Sequence, residues 1–326
     1  MSFTESFLML LVIMIVALTI DLTLGEPLWQ SKIPLHPTVL INRFVGKILP
    51  AFKSKNPKKE KAKGLILALT TVSLTTVTTY FLLYLTRLTN VILYILLASV
   101  MFKVTFCIKL ETDMAKEAAR CIKDKDLERG RELTAYFSRR ETQNLNERQI
   151  ASAIIESIAE NLTDFKLSPI FYYSIFGVPG AMAFKTINIL DGTVGFKDAE
   201  HIHVGWASAM MDTLANFFLS RLTAILIVLA ALISRGSPLN AWKILLRDRR
   251  KVPSINHGWP MAAMAGALNI QLEKPGVYVI GDENEVISHE HIYMALKIRN
   301  IAIFLFLLLI AVPLMFLNTH FLGFQI

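Results

Sequence analysis

Three carboxylates follow one another at a helical spacing near the middle of the chain. Glu156, Glu160 and Asp164 are each four residues apart, so a helix would place all three on one side of its surface. Neighbouring carboxylates repel one another unless a cation compensates their charge. Carboxylate oxygens are the ligands that Mg²⁺ takes while it also contacts nucleotide phosphates. The spacing therefore predicts a metal-binding row, with a solvated acidic helix face as the plainer alternative.

A lysine, an amide and a carboxylate close the apolar segment that follows. Lys185, Asn188 and Asp191 are each three residues apart and can share one helical face. Lysine and asparagine suit an anionic substrate, whereas Asp191 suits a metal ion or an amine. Ionisable groups are costly beside hydrocarbon, which indicates a site. A lysine at the end of an apolar segment can also extend its ammonium group to the membrane surface without any function.

Further motifs carry the remaining candidates. Asp21 lies at the end of the first apolar segment and is followed by Leu35-His36-Pro37; a histidine beside proline is more often structural. Arg139-Arg140 could clamp a phosphate or a carboxylate, or form a surface basic pair. Trp259, in the segment that begins at Asn256, could stack on a large ligand or only turn the chain. The sequence contains no classical phosphate loop, nucleophile elbow, zinc-protease motif or cysteine cluster.

The elements that must position these residues belong to a membrane protein. The 326 residues are 53% hydrophobic, with a mean hydropathy of +0.47. Four segments are apolar enough and long enough to span a bilayer: 6–24, 65–85, 88–106 and 301–319. Two weaker segments, 167–184 and 212–234, could be re-entrant, interfacial or buried. We therefore predict an all-α, polytopic integral membrane protein with about four to six membrane segments, a helical cytoplasmic portion and one domain over residues 1–326.

The basic residues predict how the chain is oriented. Of 34 Lys and Arg, eight lie between Arg43 and Lys63, and such a loop between apolar segments is typical of the cytoplasmic side. This explains the net charge of +8 better than nucleic-acid binding does. The basic stretches 107–166 and 235–251 both lie on the cytoplasmic side only if both weak segments cross the membrane or neither does. We favour the topology in which neither weak segment crosses, because the polar motifs then share the cytoplasmic side with ATP. This predicts a multi-pass protein of the cytoplasmic membrane whose active site faces the cytoplasm.

Local signals predict where individual helices begin and break. Asn144 with Glu147 three residues later approaches a capping box, which predicts a helix from about residue 146 to 162. Gly177-Val178-Pro179-Gly180 predicts an interruption of the apolar segment 167–184.

In chain order, these motifs resemble one family: the adenosylcobinamide-phosphate synthase family (CobD/CbiB type) of cobalamin biosynthesis. The resemblance covers roughly residues 20–280. The motifs that carry it are Asp21 with Gly25-Glu26-Pro27, Leu35-His36-Pro37, Arg139-Arg140-Glu141-Thr142, Glu156 to Glu160-Asn161 with Asp164 and Pro169, Lys185 with Asn188, Asp191 and Gly195, Gly205-Trp206 with Asp212 and Arg221, and Asn256 to Trp259-Pro260 with Met264-Ala265-Gly266-Ala267-Leu268.

The resemblance implies an ATP- and Mg²⁺-dependent ligase of vitamin B12 biosynthesis. Such a ligase forms a C–N amide bond between a propionate of adenosylcobyric acid and (R)-1-amino-2-propanol or its O-phosphate, which gives adenosylcobinamide or its phosphate. Amide formation from a carboxylate needs activation, for example as an acyl phosphate, with charge stabilised by Mg²⁺ and cationic side chains. A carboxylate could receive the proton of the amine.

The resemblance also implies roles for individual residues. The candidate catalytic residues are Glu156, Glu160, Asp164, Lys185 and Asp191. Glu156, Glu160 and Asp164 are the candidate Mg²⁺ ligands. The candidate substrate-binding residues are Asp21, His36, Arg140, Thr142, Asn161, Asn188, Trp206, Asn256 and Trp259. Within these sets, Lys185 and Arg140 are expected to meet phosphate or propionate, and Trp206 and Trp259 to line a corrinoid cleft.

Two alternatives from other functional classes stay open. One is a non-catalytic membrane signalling paralogue of the AmpE type, which would bind neither corrinoid nor nucleotide. The other is a membrane transporter that uses the broken segment near residues 167–191 as a midplane site. Expected partners are the lipid bilayer and the corrinoid and amine substrates; candidate protein partners are other enzymes of corrinoid nucleotide-loop assembly or a second copy of the chain.

Overall fold

The described structure, a computed structural model, covers residues 3–26, 36–138 and 140–322. Pro27 to Leu35 and Arg139, which the resemblance includes, lie outside the described residues. The helices are α1 (Phe3–Leu24), α2 (Pro37–Phe52), α3 (Pro57–Thr89), α4 (Val91–Lys103), α5 (Lys109–Lys123), α6 (Leu127–Phe137), α7 (Glu147–Leu162), α8 (Ser168–Val194), α9 (Trp206–Ser234), α10 (Pro238–Asp248), α11 (Gly258–Ala267), α12 (His289–Phe306) and α13 (Val312–Leu317). Within these described ranges, three π-helical turns occupy Thr163–Leu167, Leu307–Ala311 and Asn318–Leu322. Strands β1 (Leu272–Lys274) and β2 (Tyr278–Ile280) form an antiparallel hairpin in which Leu272 faces Ile280.

Five helical stretches in the described part of the chain are long and apolar enough to cross a membrane. They are Thr4–Leu24, Pro57–Thr89, Glu147–Val194, Trp206–Ser234 and His289–His320. This confirms the predicted fold class, a polytopic all-α membrane protein.

The lengths of two segments differ from the sequence prediction. The segment predicted at 88–106 contains α4, which has 13 residues, whereas about 20 are needed for a crossing. It is short because Asn90 ends α3 and caps α4, its side-chain oxygen accepting from the N–H groups of Ile92 and Leu93. Conversely, the weak segment 212–234 belongs to α9, which has 29 residues. The number of crossings stays a prediction.

The basic stretch 43–63 is mostly helical rather than a loop. It comprises the end of α2 and the start of α3, with only four residues between the two helices. Asn56 Oδ1 accepts hydrogen bonds from the N–H groups of Lys58 and Lys59, and Pro57 occupies the first helical position. An asparagine cap followed by proline is a strong start signal, so the basic residues belong to helix ends.

The helix that carries the carboxylates begins at a different cap from the one predicted. Asn146, not Asn144, caps α7: its side chain accepts from the backbone of Gln149, and the Gln149 side chain accepts from the backbone of Asn146. The motif is the predicted capping box, shifted by two residues along the chain. The predicted interruption in α8 is confirmed, because Gly177 has φ +65°, a conformation that favours glycine.

The chain divides into two compact units. The first comprises Met1–Cys107, Ser168–Ala215 and Ile310–Ile326, and the second Ile108–Leu167 and Asn216–Leu309. In the first unit, α2, α3, α8 and the start of α9 contribute to one apolar core, which includes Val45, Ala68, Leu190 and Ala207. In the second unit, α10 packs on α11, α7 packs on α12 and on β1, and α5 packs on α6.

Two helical glycines provide a matched test of packing in the first unit. A Cβ at Gly64 would lie 2.0 Å from the carbonyl oxygen of Val204, whereas nothing lies within 4 Å of one at Gly46. We expect Gly64→Ala to cost about 1–3 kcal/mol of unfolding free energy, because backbone atoms must move. Gly46→Ala should instead stabilise the protein by about 0.5–1 kcal/mol. Unfolding in detergent micelles measures both, and two variants of equal stability would contradict the close contact.

Candidate functional site

Helix α7 and the π-helical turn after it present the three carboxylates. Glu156 and Asp164 are buried, with 2% and 7% of their surfaces exposed, and Glu160 lies between them along the chain. Asp164 belongs to the π turn Thr163–Leu167, and single π turns inside helices frequently occur at functional sites. Glu156 and Asp164 are therefore not part of a solvated helix face, whereas Glu160 has 37% of its side chain exposed.

Two of these carboxylates share one histidine from a distant part of the chain. His257 Nδ1 lies 3.0 Å from Glu160 Oε1, and its Nε2 lies 3.3 Å from Asp164 Oδ2. Ligand atoms of the three residues all lie within 4.8 Å of one another, a group that could hold a metal ion. Among the described residues, no hydrogen-bond partner reaches the buried Oδ1 of Asp164. That oxygen retains its capacity to accept a proton, a hydrogen bond or a metal ion.

The charge of His257 follows from these neighbours. Burial lowers its pKa, but the Glu160 and Asp164 carboxylates raise it more, so the pKa stays well above its usual value. The imidazole is therefore protonated at neutral pH and supplies the positive charge that the two carboxylates need.

This raised pKa predicts a pH dependence of stability. Because the folded pKa exceeds the unfolded value of about 6.5, His257 contributes its full stabilisation below that pH and loses it as pH rises towards the folded pKa. We expect the unfolding free energy of the wild type, minus that of His257→Gln, to fall as pH rises above about 6.5. Thermal unfolding of both proteins across this range measures the difference. A difference that does not change with pH would contradict a protonated His257.

Glu156 makes a separate set of contacts. Its Oε2 accepts from Arg140 Nη2 at 2.6 Å and from the Tyr278 hydroxyl at 2.6 Å, and its Oε1 accepts from Ser152 Oγ at 2.7 Å. Burial and the charge of Glu156 raise the pKa of Tyr278 far above its usual range, so the phenol remains a donor. Arg140 Nη1 also donates to the carbonyl of Glu273 at 3.2 Å. The hairpin β1–β2 thus supports Glu156 through Arg140 and Tyr278. The group that could hold a metal ion does not include Glu156; it consists of Glu160, Asp164 and His257.

Asn161 belongs to a buried ion cluster beside α7. Its Nδ2 donates to Glu111 Oε1 at 3.0 Å and to Ser157 Oγ at 3.1 Å. Glu111 also pairs with Lys166 and Arg299, each at 2.7 Å. Burial raises the pKa of Glu111, but the two cations lower it more, so the net pKa falls. The cluster ties α5 and α12 to the π turn and so fixes the segment that carries Asp164.

Thr142 lies half-buried between α6 and α7, where its carbonyl accepts from Leu145 N at 3.2 Å. Its assignment to substrate stays a prediction.

In the first unit, an ion cluster surrounds the end of α1. Asp21 is fully buried, and its Oδ1 lies 3.4 Å from Lys103 Nζ, which also pairs with Glu26 at 2.7 Å. The pKa of His36 is lowered by burial and by the nearby Lys185 and Lys103, against an opposing effect of Glu26. Lys103 thus pairs with Asp21 and Glu26 and also contributes to the electrostatic environment of His36.

His36 offers a defined hydrogen-bond donor. Its Nδ1 accepts from the N–H of Thr38 at 3.3 Å, so the proton of the neutral ring is on Nε2. In the described ranges, that buried Nε2 has no hydrogen-bond partner. A buried donor of this kind suits an anionic or carbonyl oxygen of a ligand.

The polar face of α8 lies beyond its break at Gly177. Asn188 Nδ2 donates to Asp212 Oδ1 at 3.3 Å. Asp191 accepts the backbone N–H of Gly195 at its carbonyl, and a Cβ at Gly195 would lie 2.2 Å from Asp191 Oδ1. Only glycine fits beside that carboxylate, so Gly195 helps to hold Asp191.

The aromatic candidates lie in different units. Trp206, in the first unit, is 43% exposed, and Lys61 Nζ lies 5.4 Å from its ring centroid. Trp259 and Asn256, in the second unit, both contact Arg221, which stacks on Phe217. The sequence candidates are thus divided between the two units.

Several site residues were missed by sequence reasoning. The residues that the structure adds are Lys103, Arg249, His257 and Tyr278. It also gives contacts to Asp212 and Arg221, which carried the family resemblance without an assigned role. The sequence offered a signal for two of these residues: Lys103 ends an apolar segment, and His257 lies between the candidates Asn256 and Trp259. Tyr278 had none, because nothing local relates it to Glu156.

Comparisons with known proteins agree on one family. A family model described as CobD/Cbib protein matches residues 14–303. The "Probable cobalamin biosynthesis protein CobD" of Methanothermobacter thermautotrophicus is 34% identical over 91% of this chain and 95% of its own length. The protein of the same name from Thermoplasma volcanium is 32% identical over 96% of this chain and 100% of its own length. "Cobalamin biosynthesis protein CobD" of Dehalococcoides mccartyi is 33% identical over 89% of this chain and 93% of its own length. No solved structure matches the chain.

Proposed function

Because the chain belongs to the CobD/CbiB protein family and thus to cobalamin biosynthesis, we propose that it is the ligase that completes the aminopropanol side chain. It joins a propionate of adenosylcobyric acid to (R)-1-amino-2-propanol or its O-phosphate, at the expense of ATP. The proposal rests on the group of Glu160, Asp164 and His257, in which a buried oxygen of Asp164 has no hydrogen-bond partner among the described residues. The reaction needs such a group, because it must compensate phosphate charge and remove a proton from an amine.

The carboxylates fit the Mg²⁺ that this reaction is expected to use. Mg²⁺ is usually held by one or two carboxylates together with substrate phosphates. Glu160 and Asp164 supply two carboxylates, and no described group donates a hydrogen bond to the buried Oδ1 of Asp164. When bound, the ion would neutralise charge on the transferring phosphoryl group. Glu156 is less suited to bind the ion, since its oxygens already accept hydrogen bonds from Arg140, Ser152 and Tyr278.

The side chains divide the remaining work. Activation transfers the γ-phosphoryl group of ATP to a propionate oxygen and releases ADP; the amine then forms the C–N bond as the acyl C–O bond breaks and phosphate leaves. Asp164 Oδ1 is our candidate acceptor for the proton that the amine loses. Protonated His257 keeps Glu160 and Asp164 ionised, and Arg140, held by Glu156, offers positive charge to phosphate or propionate.

Residues of the first unit suit the anionic groups of the substrates. His36 Nε2 is a buried donor without a described partner, and Lys185 adds a positive charge close enough to lower the pKa of that histidine. We assign both to a phosphate or carboxylate oxygen. We place the active site on the cytoplasmic side, where ATP is available.

The test is a turnover assay on detergent-purified protein. Adenosylcobyric acid, Mg-ATP and either aminopropanol or its O-phosphate are incubated with the protein, and the corrinoid is analysed by mass spectrometry. We expect an ATP-dependent mass increase equal to the added amine minus water. Folded, monodisperse protein that yields no product with either amine would overturn the proposal and favour the signalling or transport alternatives.

A further inference from the structure

Two arginines of the second unit lie close to the ring of Trp259. The guanidinium carbon of Arg221 lies 4.9 Å from the ring centroid, and that of Arg249 lies 5.2 Å from it. Arg221 also stacks on Phe217, at 3.6 Å from that centroid. Aromatic faces beside a guanidinium stabilise its charge but contribute no negative charge to neutralise it.

Hydrogen bonds hold one nitrogen of the Arg221 guanidinium and leave the opposite edge available for a ligand. Its Nη1 donates to Asn256 Oδ1 at 2.7 Å, to the Phe217 carbonyl at 2.6 Å and to Ser220 Oγ at 2.9 Å. Within the described residues, its Nη2 has a single long contact, 3.4 Å to the carbonyl of Ile255, and its Nε has none. The Nε–Nη2 edge is the fork that binds two oxygens of a phosphate or carboxylate.

Neither arginine has a carboxylate partner in the described part of the chain. Arg249 donates from Nη1 to the Leu246 carbonyl. By contrast, Arg140, Arg247 and Arg299 each form an ion pair with a carboxylate. Arg221 also lies inside α9, an apolar helix long enough to cross a membrane, where an ionisable residue normally serves a function.

The charge of the pair selects the class of ligand. Two guanidiniums match the charge of a phosphate monoester, close to −2 at neutral pH, better than the single charge of a carboxylate. His257, which stands two residues before Trp259 in the chain, contacts Glu160 and Asp164. One short segment therefore joins the arginine pair to the proposed catalytic carboxylates.

We propose that Arg221 and Arg249 form a phosphate-binding site around Trp259. Its ligand is a phosphate monoester, either the terminal phosphate of a substrate or the headgroup of an anionic lipid such as phosphatidic acid. Only the assignment to a substrate rests on the proposed function; the site itself does not.

Binding without turnover tests the site. The protein is placed in nanodiscs of neutral phosphatidylcholine and titrated with β,γ-imido-ATP or inorganic phosphate, with tryptophan fluorescence and calorimetry as readouts. We expect Arg221→Gln and Arg249→Gln each to weaken binding by about ten- to a hundredfold, as for loss of a charged hydrogen-bonding partner. Arg221→Lys keeps the charge but not the fork and should weaken binding less than Arg221→Gln.

The matched control is Arg250→Gln, which removes an exposed positive charge next to Arg249 and should leave binding unchanged. If neither soluble probe binds, the same variants are compared in nanodiscs that contain phosphatidic acid, with bound lipid counted by native mass spectrometry. Loss of bound phosphatidic acid in the Arg221 and Arg249 variants alone would identify a lipid headgroup as the ligand. Arginine variants that bind both the soluble probes and the anionic lipid like the wild type would overturn the site, whether or not the protein synthesises an amide.

Discussion

Asp164→Asn should lower the rate of ATP-dependent amide formation by about a hundredfold or more, the range measured for loss of a general base. Asparagine keeps the shape of the side chain and can still accept from His257, but its amide cannot take a proton or compensate a cation. The buried Oδ1, which no described group contacts, is the atom that the substitution changes. Initial rates from the mass-spectrometric assay measure the effect, and Mg²⁺ titration of the apparent rate shows whether metal affinity falls with it.

Asp113→Asn is the matched control for this substitution. Asp113 is exposed on α5 and pairs with Lys109 at 2.6 Å, so the same chemical change there should leave the rate unaltered. An Asp164→Asn protein that turns over as fast as the wild type would remove Asp164 from the mechanism.

Glu111→Gln should destabilise the second unit by about 3–5 kcal/mol, because it leaves buried positive charge without its carboxylate. Arg299 and Lys166 are 0% and 1% exposed, and both pair with Glu111 at 2.7 Å. Glutamine retains an acceptor for Asn161 but no negative charge. Denaturant unfolding in micelles, followed by circular dichroism, measures the loss.

Glu117→Gln provides the comparison on the same helix. Glu117 pairs with Arg129 at 2.9 Å, but about half of each side chain is exposed, and exposed pairs contribute about 0–1 kcal/mol. Equal losses in the two variants would show that burial of the Glu111 cluster does not matter for stability.

Local signals predicted the elements that carry the site. The Gly177–Gly180 interruption, the apolar helices and the helix of the three carboxylates all depend on neighbouring residues, and the structure contains each of them. The cap of α7 was predicted two residues early because Asn144 and Asn146 both stand three residues before a side chain that can complete a capping box.

Partners that are distant in the sequence could not be predicted. His257 meets Glu160 and Asp164, and Tyr278 meets Glu156, across a separation of 122 residues in the second case. Helical periodicity relates residues only three or four positions apart, so it placed the three carboxylates in one row. It could not show that Glu156 pairs with Arg140, whereas Glu160 and Asp164 pair with His257. The sequence did separate the segments 65–85 and 88–106, and the structure places their boundary at Asn90, which ends α3 and caps α4.

The pairing pattern sharpens the roles that the family resemblance implied. Glu156, satisfied by three donors, is suited to orient Arg140. Glu160 and Asp164 retain the chemistry of metal binding and proton transfer. The arginine pair at Trp259 adds positive charge that the sequence candidates did not include.

The oxygen atoms of the propionate report how the carboxylate is activated. Adenosylcobyric acid labelled with ¹⁸O in the reacting carboxylate is converted by the purified protein with Mg-ATP and the amine, and the phosphate released is analysed by mass spectrometry. If ATP activates the carboxylate as an acyl phosphate, one ¹⁸O atom appears in inorganic phosphate for each amide formed. Amide formation without transfer of ¹⁸O to phosphate would contradict this account of how the protein works.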